Sequence, residues 1–590
     1  MLQEWKLDHK ILTLVLFYVS GALFLVVVGI YTFTELRIAT TNILQLRPAQ
    51  PLLQMLNVPL LLPSLIAFSS ALIFKPRRQS LLHGSAHWAR LGELKRAKLV
   101  PDERGQQLLL AAPGESSQSQ ESLLLIGYRG RYPIALTERQ QESHVLIVAP
   151  TGKRKSSGFF IPALLGERGH RSLLVNDVKG ELFALCAGAM TRYHNVLLFS
   201  PTKPEQSNRY NPLAHIRDSK DARDFSRAWV ENTGISREEF YNVASRTLIA
   251  ALVLHLIDTE QRPALSRLAD LAATKTLDEI KTLLLSSQSR RARDTAGAFL
   301  QTIEANPKLS SGVMLGVANR FSILIDSPEY RQVTASDDMN FQAMVDGARP
   351  TVLFLNVPAS ATDDLKPLTA LLTMQFMNYL TRRAEREPSG RLPRPVALYL
   401  DEFANAGRIP DIEKHISLVR GASIAIISAV QDFGQLERVY GRDITDTLLS
   451  NFTTQIVLPG LGQREAEYYS KKLGFATVAA TSYSSSSSNT NRTSTTTVSD
   501  TQRALMQPDE IRTMPVGSFI MVSDNVAPVR GVFKTYIERP ELQALLNVKV
   551  RRRVVRVEEI KREPGKVMSR QEARLEAEPQ AGQMPPPDML

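Results

Sequence analysis

Short, nearly continuous apolar runs punctuate the chain at 144–149, 173–177, 196–200, 351–357, 396–401, 423–428, 454–459 and 518–522, alternating with stretches of helical periodicity. Strands that are apolar at almost every position must be covered on both faces. A parallel sheet flanked by helices provides that cover, whereas an open antiparallel sheet leaves one face wet. The expected class is α/β, a doubly wound parallel sheet. Between the third and fourth runs the pattern changes. Residues 218–325 carry no strand signal, and 238–256 and 277–285 have helical periodicity, so an all-helical insertion is expected there. The sheet domain is then split into 77–217 and 326–545.

The first residues obey a different rule. Residues 11–33 carry no charge, and as a helix they would span about 34 Å, enough for a bilayer core of about 30 Å. Residues 52–74 form a second uncharged run that contains Pro59 and Pro63, which membrane helices tolerate. A signal peptide is the other reading of the first run, but the stretch is too long for one and no small-residue cleavage site follows. Lys6 and Lys10 precede the pair of runs, Lys75, Arg77 and Arg78 follow it, and the loop between holds only Arg37 and Arg47. The expectation is a two-helix transmembrane anchor over 1–76, both termini cytoplasmic, in the inner (cytoplasmic) membrane. No later run is expected to cross a bilayer.

Composition narrows the partners. Lys and Arg number 71 against 59 Asp and Glu, a net charge of +12, which favours nucleic acid or anionic lipid. Cys186 is the single cysteine, which excludes an intramolecular disulfide and cysteine-rich zinc sites; it reads as a small buried side chain. The nine histidines show no metal-ligand spacing.

The strongest chemical signal follows the first run. Ala149-Pro150-Thr151-Gly152-Lys153-Arg154-Lys155-Ser156 lies between a strand and a helix opening near Ser157. A phosphate-binding loop needs converging backbone N–H groups, a lysine for the β/γ oxygens and a hydroxyl for magnesium. Lys155 and Ser156 occupy the required seventh and eighth positions. Ala149 and Arg154 stand where glycines are usual, and Arg154 adds bulk where the chain turns tightly. The register built on Gly152-Lys153 would put Arg154 at the hydroxyl position and is rejected. Pro150 through Ser157 are therefore the candidate nucleotide-binding residues.

The run Val396-Ala397-Leu398-Tyr399-Leu400 ends in Asp401-Glu402. In partnership with a phosphate loop, Asp401 would join Ser156 in holding Mg2+, and Glu402 would polarise the attacking water. Gln431, at the end of the 423–428 run, is placed to sense a γ-phosphate. Arg420 is either an ordinary surface cation or a finger that reaches a neighbouring subunit's nucleotide. Glu402, Gln431 and Arg420 are the candidate catalytic residues, and the expected activity is ATP hydrolysis.

With these pieces in order, the sequence resembles the type IV coupling proteins, membrane-anchored hexameric ATPases of conjugation and type IV secretion. Gly84-Ser85-Ala86-His87-Trp88-Ala89, Asp177-Val178-Lys179-Gly180-Glu181-Leu182, Tyr210-Asn211-Pro212-Leu213 and the stretch 505–515 complete the likeness. The resemblance implies a RecA-like motor of the P-loop NTPase class, with ATP and Mg2+ as cofactors. It implies a homo-hexamer, and partners comprising single- or double-stranded DNA, relaxase proteins and channel components. Taken alone, 177–182 reads as a strand end that turns through Gly180 into a helix.

Residues 481–499 are mostly Ser, Thr and Asn and are expected to form a mobile loop or loose hairpin; 546–590 reads as a basic, then proline-rich, disordered tail. Two other functions fit parts of the pattern. A double-strand DNA translocase of the chromosome-partitioning type shares the motor, but usually carries a winged-helix module after it. A receptor that binds ATP without hydrolysing it would explain Arg154. Export of protein cargo alone also stays open.

Overall fold

The computed structural model describes residues 83–110, 121–234, 238–304, 307–487, 492–546 and 548. The uncharged runs at 11–33 and 52–74, and the tail beyond 548, lie outside the described residues.

Thirteen strands are described: β1 Leu124–Arg129, β2 Tyr132–Leu136, β3 Val145–Val148, β4 Ser172–Asn176, β5 Asn195–Phe199, β6 Thr351–Leu355, β7 Val396–Leu400, β8 Ile424–Val430, β9 Thr454–Val457, β10 Phe475–Ser487, β11 Arg492–Ala504, β12 Ser518–Ser523 and β13 Val526–Val532. Eleven form one sheet in the order β2-β1-β13-β12-β9-β3-β8-β7-β4-β6-β5. From β9 to β5 all neighbours are parallel. In β3, β4, β6, β7, β8 and β9 every residue is buried. Leu146 and Val148 feed the core on one face of the sheet, Val145 and Ile147 the core on the other. This is the two-sided cover that the apolar runs require, and the α/β expectation holds.

On the other side of β9 the sheet turns antiparallel through β12, β13, β1 and β2. The sequence reading missed β1, β2 and β13. Close approach of backbones explains their glycines. A Cβ at Gly127 would lie 2.5 Å from the Val532 carbonyl oxygen, and one at Gly531 2.6 Å from that of Tyr128.

The helices that matter most are α1 Ile161–Gly166, α2 Glu181–Met190, α3 Ser219–Asn232, α4 Glu239–Thr259, α5 Thr362–Glu385 and α6 Ile412–Val419. Between β5 and β6 the described elements are all helical, from α3 to Phe341–Asp346. Trp229 of α3 anchors this region, stacked on Phe321 at 4.9 Å with its Nε1–H donated to the Arg320 carbonyl at 3.1 Å. One correction concerns α4, which is long and apolar enough to cross a membrane although Arg246 interrupts its apolar run. Its residues from Leu248 to Leu254 are all buried, which makes it a core helix here.

A charged network ties the start of β4 to β7. Arg171 donates to Glu167 at 2.8 Å, to Gln141 at 2.9 Å and to the Tyr399 hydroxyl at 2.8 Å, and Tyr399 donates to Glu167 at 3.0 Å. Both members of the ion pair have side chains only 1% exposed.

The ribbon of β10 and β11 belongs to a second compact unit, together with His83–Ser85 among the described residues. Its Ser/Thr-rich strands are solvent-exposed on the residues flanking the tip, Tyr483 at 81% among them. Thr477 closes its base, accepting the His83 N–H at 3.0 Å. Of 481–499, the described residues 481–487 and 492–499 lie in the paired strands β10 and β11.

Candidate nucleotide site

β3 runs into Ala149, whose N–H donates to the Val430 carbonyl at 3.0 Å and so extends the β3–β8 ladder. The chain then reverses through Gly152 at φ +78° and Arg154 at φ +64°. Glycine takes a positive φ without steric cost, whereas arginine there carries about 1–3 kcal/mol of backbone strain. Lys155 is helical, and Ser156–Phe160 forms a π turn that leads into α1. The first N–H groups of this helical segment lack intrahelical partners and converge as an anion cradle. Pro150 and Ser157 brace the loop: the Lys153 N–H donates to the Pro150 carbonyl at 3.4 Å, and the Ser157 hydroxyl to that of Arg154 at 3.3 Å. Lys153 lies across Gly460, where a Cβ would stand 2.6 Å from its Cε.

The ends of β7 and β8 face this loop. The Ser156 hydroxyl donates to Asp401 at 2.9 Å. Lys155, 7% exposed, has its ammonium 3.5 Å from a Glu402 oxygen. That same oxygen accepts from the Gln431 amide at 3.2 Å, and the Gln431 carbonyl accepts from Thr151 at 2.8 Å. Thr151, Gln431, Glu402 and Lys155 are thus one chain of contacts, and the Ser156–Asp401 pair adjoins it along the backbone. Burial pushes the Asp401 carboxyl above the usual range, while Lys155 and the Ser156 hydroxyl pull it back.

Three nearby residues went unassigned in the sequence. Asn405 donates to the second Glu402 oxygen, one turn further along a 3₁₀ segment. Asp177 accepts the Phe183 N–H at 2.7 Å and so caps the turn that Gly180, at φ +72°, makes into α2. The strand–turn–helix reading of 177–182 is correct, yet the turn also faces the site. Burial, with Asp401 among the nearby charges, pushes Asp177 up to about 6, and the Lys179 charge acts on Asp401. Asp177 and Lys179 were visible in the sequence as part of the 177–182 motif, with no role attached, and Asn405 gave no signal.

Arg420 stands differently. It is exposed at the end of α6, and no hydrogen bond or ion pair joins it to this network among the described residues. Its helix is nonetheless fastened to the loop strand by His144, which precedes β3 at φ +63°. The Ile426 N–H donates to His144 Nδ1 at 3.2 Å, leaving Nε2–H to donate to the Ile416 carbonyl at 2.9 Å. Burial pushes this ring down to about 4, so it is neutral near pH 7.

A parallel sheet with a lysine–serine loop facing an Asp-Glu strand end narrows the field to nucleotide-binding motors, and the family model decides which. The model for type IV secretory system conjugative DNA transfer matches residues 87–556. The chain belongs to this family. Among relatives of this coupling protein, the conjugal transfer protein TraG of Escherichia coli is 25% identical over 494 residues, 78% of this chain and 76% of TraG. Protein VirD4 of Agrobacterium fabrum is 26% identical over 478 residues, 79% of this chain and 67% of VirD4. The solved plasmid coupling protein TrwB, in complex with ADP and Mg2+, has a TM-score of 0.55 at 17% identity, covering 76% of this chain and 94% of TrwB. TrwB with a non-hydrolysable ATP analogue gives the same TM-score. The coupling-protein fold is therefore shared.

Proposed function

We propose that this coupling protein is an inner-membrane ATPase that recruits relaxase–DNA or protein substrates and delivers them to a type IV secretion channel. The observation that carries this is the pairing of Lys155 and Ser156 with Glu402 and Asp401 at the carboxyl ends of β3 and β7. TrwB, which shares the fold, was solved with ADP and Mg2+, and the donor set here suits both: a hydroxyl beside a carboxylate, and a buried ammonium beside free helical N–H groups. Magnesium, when bound, would neutralise charge on the β and γ oxygens. Ser156 and Asp401 would hold it.

The geometry implies an exchange of partners. An incoming phosphate competes with Glu402 for Lys155, because both are anions within reach of one ammonium. Once Lys155 turns to phosphate, the amides of Gln431 and Asn405 hold Glu402 among the described residues. It is then free to orient and polarise a water for in-line attack. Asn405 keeps the carboxylate aimed, and Thr151 keeps Gln431 in place.

The membrane assignment rests on the uncharged runs and their flanking cations, and places a two-helix anchor over 1–76 with both termini cytoplasmic. The sheet domain, the helical insertion at 218–325 and a homo-hexameric ring complete the proposal, with Arg420 supplied to the neighbour. Lys155→Ala tests it. The purified variant should lose ATP turnover and DNA transfer while remaining in the membrane fraction. Unchanged turnover would refute the loop assignment, and a wild-type protein that binds but never hydrolyses ATP would leave the receptor reading.

A further inference from the structure

The β10–β11 ribbon is built in a way that calls for a third strand. Each strand is 13 residues long, and the two form a sheet of their own. A lone two-stranded ribbon is only marginally stable in water. Residues 479–484 and 494–503 are exposed, so packing against a core does not make up the difference. β10 also lacks the guards that keep sheet edges single: from Phe475 to Ser487 it holds no charge and no proline.

The third strand has already begun. Ser85 pairs antiparallel with Ala476. The Ala86 N–H donates to the Phe475 carbonyl at 2.9 Å, and the Thr477 N–H to that of Gly84 at 3.2 Å. The His83 N–H reaches the Thr477 hydroxyl at 3.0 Å. Antiparallel polarity means that the chain before His83 arrives from the direction of the ribbon's tip. Carried back one residue at a time, this register sets Leu82 opposite Ala479, Leu81 opposite Ala480, Ser80 opposite Thr481, Gln79 opposite Ser482 and Arg78 opposite Tyr483. The chemistry agrees at each step. Apolar meets apolar, hydroxyl and amide meet hydroxyls, and a guanidinium meets the aromatic side chain that stands 81% exposed. Pro76 falls opposite Ser485, at a position where partners exchange N–H bonds, and a proline there ends the ladder.

We propose that the outer edge of β10 is the docking strip for residues 77–82, which lie outside the described residues, and that the three strands form a stem at the membrane boundary. The placing of the stem rests on the two-helix anchor reading. Phe74, the last residue of the second uncharged run, is three residues before Arg77, at most about 11 Å of chain. The serine-rich tip is thereby held beside the bilayer.

Disulfide mapping in the full-length protein, kept in its native membranes, tests this. Cys186, the single cysteine, is buried and stays out of the reaction. Cross-strand disulfides suit pairs that do not exchange N–H bonds, where Cα atoms lie about 4.5 Å apart. The double variants Gln79→Cys, Ser482→Cys and Leu81→Cys, Ala480→Cys are two such pairs. On mild oxidation each should close within one chain about tenfold faster than Gln79→Cys, Tyr483→Cys, because a one-residue slip turns the thiols to opposite faces. Equal rates in both registers, or thiols that stay reduced in variants with unimpaired ATP turnover, would overturn the pairing. So would rapid linkage between two chains carrying Ser482→Cys alone, which would make a second copy the occupant of the strip. Carbonate washing separates this inference from the anchor reading. Protein that leaves the membrane yet closes the in-register bridge keeps the strand and loses the anchor, whereas protein that stays without closing it strikes only the strand.

Discussion

Thr151 and Gln431 are 280 residues apart in sequence and joined by a 2.8 Å hydrogen bond, so the phosphate loop touches the strand end that precedes α-helical Phe433–Tyr440. Gln431 passes the contact on to Glu402. A change at the loop therefore reaches the Glu402 carboxylate through one side chain. Gln431→Ala should lower turnover with little change in ADP affinity, because it removes a positioning contact and leaves the anion cradle. Comparing kcat with the calorimetric Kd checks this; a matched loss of both would place Gln431 in binding.

Arg420 and Glu402 should complement each other. A trans arginine is worth roughly 10³–10⁵ in rate, so Arg420→Ala and Glu402→Gln should each be inactive while retaining ATP affinity. Mixed rings would contain some interfaces with both residues intact and should recover part of the activity. Mixed rings as inactive as their parents, with composition verified by mass, would make Arg420 a cis or surface residue.

Gly158→Ala should destabilise the protein by about 1–3 kcal/mol, the cost of an extra methyl forced into a packed site. The methyl would meet the Phe533 ring at 2.4 Å. Phe533→Leu in the same chain should restore part of the loss, read as the shift in denaturation midpoint of single and double variants.

Removing Arg171 strands Glu167 in the interior. Breaking a buried pair from one side costs about 3–5 kcal/mol, so Arg171→Ala should lower the urea midpoint far more than the combined Arg171→Met, Glu167→Gln variant. Equal losses would mean that packing, not charge, dominates there.

The pH dependence has a definite sign. His144 falls from 6.5 to about 4 on folding, so the stability tied to its neutral form is complete above pH 6.5 and is lost as pH drops toward 4. Asp177 rises from 3.8 to about 6, so its contribution is complete below 3.8 and is lost as pH climbs through 6. The two oppose each other between about pH 4 and 6. His144→Asn suits the positive φ and removes the first term. Its stability relative to wild type should improve by about 2 kcal/mol between about pH 7.5 and 5. Urea midpoints at the two pH values measure it, and a constant difference would mean that His144 titrates normally.

Much of this was legible in the sequence because the central strands are covered on both faces. Val145–Val148 and Val396–Leu400 have no charged residue, and no polar atom but the Tyr399 hydroxyl, to dilute the signal, and the spacing of Lys155, Ser156, Asp401 and Glu402 reflects chemistry that tolerates few substitutes. The edge was not legible. β13 contains Pro528 and Gly531, and β1 contains Gly127, residues that normally argue against a strand. The two glycines belong there because the backbones approach too closely for side chains, a relation between segments that neither segment announces.

The position of β13 between β12 and β1 sets a clock on biosynthesis. β1 and β2 precede β13 in the chain, yet among the described strands they join the large sheet through β13. Roughly 400 residues separate them from it, which at about 5–20 residues per second is on the order of 20–80 s of translation. Throughout that interval the nascent hairpin has an open edge and the parallel core lacks its flank. The sheet thus becomes whole only once β13 has been made, when one late strand sews the β1–β2 hairpin to the parallel core.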